Sequence, residues 1–150
     1  MLTRAMLMLL MAWVVAVPAA ALPVAEQAVR DLLRQSFDRP DQPLTVGPIA
    51  IEDSAAVAGW TQGDLGGRAL LLLEGGAWRL VACAGDALTD ASTLQGLGLS
   101  PSQATALARR LREAEAGLSP DRLRALASFN GLQDMRNDQA PHSHPTPPTR

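Results

Sequence analysis

Arg68-Ala69-Leu70-Leu71-Leu72-Leu73-Glu74-Gly75-Gly76-Ala77-Trp78-Arg79-Leu80-Val81-Ala82-Cys83-Ala84 decides the fold. Two apolar runs flank Gly75-Gly76, a dipeptide that takes φ > 0 at both positions, which predicts a hairpin closed by a two-residue primed turn. In that register Leu73 faces Trp78, Leu71 faces Leu80 and Ala69 faces Ala82 on one side of the sheet. Glu74 with Ala77, Leu72 with Arg79, Leu70 with Val81, and Arg68 with Cys83 occupy the other. The first side is wholly apolar and the second apolar in its middle, so the strand with four consecutive leucines is expected to be central, with both its faces covered.

Upstream lies Gly59-Trp60-Thr61-Gln62-Gly63-Asp64-Leu65-Gly66-Gly67. Gly63, Gly66 and Gly67 tolerate φ > 0 and Asp64 bonds readily to following amides, so the stretch reads as a glycine turn joining a strand at residues 55–62 to one beginning at Arg68. Before it, residues 44–52 form an extended piece that Pro48 assigns to a sheet edge or a bulge. Val24, Ala28, Val29, Leu32, Leu33 and Phe37 recur at helical spacing after Pro23, and the prolines and aspartates of residues 38–43 end that helix.

Downstream, Thr89 or Asp90 caps a short helix that ends near Gly96 and Gly98. Leu99-Ser100-Pro101 and Leu118-Ser119-Pro120 each place serine at an N-cap and proline at the first helical position, predicting helices over 101–116 and 120–129. The fold expected is α+β: an amino-terminal helix on a four-strand antiparallel meander, followed by carboxyl-terminal helices, within residues 22–131. Beyond Gly131 the composition turns polar and proline-rich, which predicts a disordered tail.

Residues 1–21 have the make-up of a secretory signal: Arg4, an apolar core over 5–17, and Pro18-Ala19-Ala20-Ala21, with cleavage expected after Ala21 and no membrane insertion afterwards. An uncleaved anchor is the rival reading of the apolar run. The export reading places the mature chain in the periplasm. Its 150 residues are 47% hydrophobic and 19% charged, the mark of a folded chain. The 13 basic side chains, all arginine, stand against 15 acidic ones, and losing Arg4 makes the balance more negative, which opposes nucleic-acid or anionic-membrane binding.

Candidate chemistry is sparse. Cys83, the single cysteine, reads as a buried small hydrophobe, with a metal or redox thiol and an intermolecular crosslink as alternatives. No histidine in the folded region serves it as a base, although Arg68, opposite it in the expected register, would lower its pKa. Asp64 and Asp86 are either a carboxylate pair or, more economically, turn and cap residues. Gly63–Gly67 lacks the Gly-Lys-Ser/Thr ending of a phosphate loop. No catalytic constellation emerges, and an enzyme is not expected. Trp60 and Trp78 read as core anchors, with pocket lining as the alternative. His142 and His144, on the tail, form a weak chelating pair.

Residues 59–64, 66–71, Trp78, 83–86 and the helix exit at 37–40 together make the chain resemble the small periplasmic copper uptake system-associated proteins, over residues 24–130. The resemblance implies an accessory role in copper uptake alongside a periplasmic copper carrier or transporter, and no catalytic residue. On that reading Trp60, Asp64, Arg68 and Asp86 gather at one end of the sheet as a partner surface, and copper, if held weakly, falls to Cys83, His142 and His144. The alternative function is a small-ligand-binding or copper-binding module with a pocket between helix and sheet.

Overall fold

The computed structural model describes residues 21–136. The expected signal segment, except Ala21, lies outside them, as do His142 and His144. Helix α1 (Ala21–Phe37) leads into β1 (Thr45–Glu52), β2 (Ala55–Gln62), β3 (Leu65–Glu74) and β4 (Ala77–Ala84). A 3-10 turn (Asp86–Thr89), α2 (Ala91–Gly96), α3 (Pro101–Glu115), α4 (Pro120–Ala127) and β5 (Leu132–Asp134) complete the chain. The strands form one antiparallel sheet in the order β1-β2-β3-β4-β5, so the architecture is α+β. Residues 132–134, expected in the tail, instead add a short edge strand to β4.

The local signals act as their chemistry dictates. Gly75 and Gly76 have φ of 57° and 80° and join Glu74 to Ala77 in a two-residue turn. Ser100 and Ser119 accept hydrogen bonds from the amides of Gln103 (3.3 Å) and Arg122 (3.2 Å), capping α3 and α4 ahead of their first-turn prolines. Asp90 caps α2 through the amide of Ser92. Pro48 sits on the edge strand, where the β1–β2 register slips between Val46 and Ile49.

Two cores form, one on each side of the sheet. Val29 and Leu33 of α1 pack on Ala56, Ala58, Ala69, Leu71, Leu80 and Cys83. Leu94 of α2 and Leu107, Ala108 and Leu111 of α3 pack on Val57, Leu70, Val81, Ala82 and Ala84. Both faces of β3 are therefore covered in its middle, where Ala69, Leu70 and Leu71 are all fully buried, while Leu72 is half-buried and Leu73 exposed toward the hairpin turn.

The expected β3–β4 register holds from Glu74 to Leu71 and then fails. Leu71 faces Leu80, but Leu70 faces Ala82, leaving Val81 as a bulge. One extra residue inverts the facing of everything beyond it, so Val81 and Ala82 join the same core and Cys83 pairs with Ala69. Arg68 pairs with Ala84, on the opposite side of the sheet from Cys83, and the expected Arg68–Cys83 pair does not form. The bulge also has a use: the carbonyl of Val81 accepts from the amide of Met135 at 2.8 Å, extending the attachment of β5.

The glycine turn is shorter than expected. Gln62 pairs with Leu65, so Gly63 and Asp64 alone close the β2–β3 hairpin, and only Gly63 of its glycines has φ > 0, at 57°. Gly66 and Gly67 are strand residues that make room for another part of the chain. A Cβ on Gly66 would lie 2.3 Å from the carbonyl oxygen of Ala125, and one on Gly67 would lie 2.9 Å from the Cβ of Phe129. On Gly85 it would meet the carbonyl oxygens of Ala127 and Phe129 at 2.6 and 2.8 Å. Between residues 125 and 129 the chain thus passes the end of the sheet from the α3 side to the α1 side, so close that two positions of β3 and the residue after β4 carry no side chain.

Candidate functional site

The crossing at the glycine end builds the site. Phe129 arrives on the α1 side and meets Trp60 edge to face, with ring centroids 5.9 Å apart and planes at 77°. Leu33 and Phe37 from the end of α1, Leu44 ahead of β1, and Ala69 and Cys83 on the sheet close the remaining walls. They enclose a cavity of about 200 Å³ that opens beside Arg39, Leu65 and Gln133, all exposed.

The helix exit that forms one wall is held by polar contacts. The buried Gln62 side chain donates to the carbonyls of Phe37 (2.7 Å) and Gln42 (2.8 Å), tying the loop to β2. Asp38 accepts from the amide of Leu44 at 2.6 Å, and the amide of Gln42 donates to the Arg39 carbonyl at 3.1 Å. The loop at residues 38–43 is thus ordered by its own hydrogen bonds and those of Gln62, and it carries Arg39 at the cavity mouth.

Cys83 and Met135, the two sulfur-bearing side chains among the described residues, both line this cavity. Burial pushes the Cys83 thiol up to about 11, which favours the protonated form at neutral pH, slows its attack as a nucleophile and makes any metal compete with a proton. Among the described residues no group of three or more histidine, cysteine, aspartate or glutamate side chains is placed to hold a metal ion.

The four residues expected to form a partner surface do not share one. Asp64 is exposed at the hairpin tip. Trp60 lies half-buried in the cavity wall, on the α1 side. Arg68 points to the other side and is only 2% exposed. Its Nε and Nη2 donate to the two carboxylate oxygens of Glu115 at 2.7 and 2.8 Å. Its Nη1 donates to Asp86 at 3.1 Å and to the carbonyl of Leu126 at 3.3 Å. Burial alone would lower the Arg68 guanidinium, but the hydrogen bonds and charge of Glu115, with Asp86 behind them, hold it above its ordinary value. Arg68 and Asp86 do meet, as a clasp joining β3, the end of α3, α4 and the 3-10 turn. Arg122 makes a second clasp, donating to Thr61 and, at 2.8 Å, to the carbonyl of Gly47.

Arg39, Gln62, Phe129 and Met135 are cavity residues that sequence reading did not single out as a site. Gln62 left a trace, as a polar residue two positions after Trp60 on an otherwise apolar strand, where inward-facing positions recur every second residue. Phe129 and Met135 lie too far along the chain from Trp60 and Cys83 for any periodicity to link them. No family model, curated protein or solved structure matches the chain.

Proposed function

We propose that this protein is a non-catalytic binding module, exported as an accessory to copper uptake, with the cavity between α1 and the sheet as its working part. The cavity carries the first half of this reading. It is largely apolar, walled by three aromatic side chains, and its helix-exit wall is ordered by hydrogen bonds, features typical of sites that hold small ligands. Its one nucleophile is a protonated thiol, which favours binding over covalent chemistry. The copper half, and with it a periplasmic copper carrier or transporter as partner, follows from the family resemblance in the sequence.

A second reading is favoured by one observation: Cys83 and Met135, a thiol and a thioether, line the same cavity. This is the soft donor set that cuprous ion prefers, and binding there would displace the thiol proton that burial otherwise retains. The test is titration of the purified chain with cuprous and cupric ions, beside Cys83→Ser, Met135→Leu and a chain ended after Arg136. Stoichiometric cuprous binding lost in the first two variants supports a metal site in the cavity, whereas loss only on truncation assigns copper to His142 and His144. If copper does not bind and no small apolar compound raises the melting temperature, the binding-module reading is wrong.

A further inference from the structure

We propose that the cavity takes an amphiphilic carboxylate, its apolar body among Leu33, Trp60 and Phe129 and its carboxylate on the Arg39 guanidinium at the mouth. This rests on the cavity being a binding site and adds the class of its ligand. Arg39 is the single charged side chain in the lining, and no carboxylate accompanies it there. It makes no ion pair among the described residues, a state it shares with Arg30, Arg34, Arg112 and Arg122, but of these five arginines Arg39 alone lines the cavity. The adjacent Asp38 is turned into its own loop, onto the Leu44 amide. Gln42 and Gln62 hold the loop backbone on either side of residue 39, which keeps Arg39 in a lining that contains no carboxylate.

Size sets the rest of the ligand. A dry apolar cavity of about 150 Å³ holds benzene, so roughly six to eight carbons suit a cavity of this volume. The polar head then remains at the solvent boundary, where a guanidinium recognises a carboxylate by paired hydrogen bonds.

Calorimetric titration of the full chain with octanoate, octanol and octylammonium isolates the head group, because the three share one tail. Octanoate is expected to bind about fivefold tighter than octanol, the advantage appropriate to an exposed ion pair, with octylammonium weakest. Arg39→Gln is expected to cancel the octanoate preference. Octanoate is also expected to slow alkylation of Cys83, which places the ligand in the cavity without ambiguity because the chain has a single cysteine. Equal binding of octanoate and octanol, or a preference that survives Arg39→Gln, overturns the carboxylate while leaving the cavity as a binding site. If none of the three produces heat or protects Cys83, the binding site itself is refuted.

Discussion

Raising the pH from 8 to 11 tests the burial of Cys83 in isolation. The chain contains no lysine and no tyrosine, and its two histidines are already neutral at the start of this range. Arginine stays charged throughout, so Cys83 is the one side chain that titrates between pH 9 and 11. Burial raises its thiol from 9.0 to about 11 in the folded protein. Because the folded value lies above the unfolded one, the native state keeps its proton in this window while the unfolded chain releases it. Stability is therefore undiminished below pH 9 and falls as the pH rises toward 11. A separation of about two pH units, at 1.36 kcal/mol each, makes the loss about 2 kcal/mol by pH 11, where the folded thiol is itself half ionised. Urea denaturation in the presence of a phosphine reductant, repeated at half-unit intervals, reads this directly. Cys83→Ala is expected to start lower and stay flat, since it removes the titrating group as well as some packing. A flat wild-type curve, or an equal decline in Cys83→Ala, would refute the reasoning and indicate that water entering through the cavity reaches the thiol.

Arg68→Ala leaves the buried Glu115 carboxylate without its partner and is expected to cost about 3–5 kcal/mol, lowering the melting temperature by roughly 12–20 °C. Replacing both residues together, as Arg68→Met with Glu115→Leu, should recover most of that loss, and calorimetric melting of the two variants beside the wild type decides it. Gly66→Ala drives a methyl group into the Ala125 carbonyl and is expected to destabilise by about 3 kcal/mol or more, whereas Gly96→Ala, with nothing within 4 Å of the new methyl, should be neutral or slightly stabilising in the same denaturation assay.

Much of the fold was legible because its signals are local. A serine followed by proline at residues 100–101 and 119–120 starts a helix through hydrogen bonds that reach only three residues ahead, and Gly75-Gly76 closes a hairpin through its own backbone angles. The site was much less legible. Arg68 reads in sequence as the neighbour of Cys83 and as part of a partner surface, yet its carboxylate partner lies 47 residues away on α3. Trp60 and Phe129 are similarly brought together only by the chain crossing at the end of the sheet.

By itself the sequence determined the order and kind of the four helices and of strands β1 to β4, the double-sided burial at the middle of the leucine strand and the placing of proline at the edge. Only the tertiary structure decided that Val81 bulges, that Cys83 and Arg68 therefore face opposite cores, and that Gly66, Gly67 and Gly85 serve close approach instead of turning. The physical reason is reach. Capping, turn angles and alternation are settled within a few residues, but a bulge is chosen by what both faces must pack, and a glycine's missing side chain acquires meaning only from the backbone that comes to lie against it.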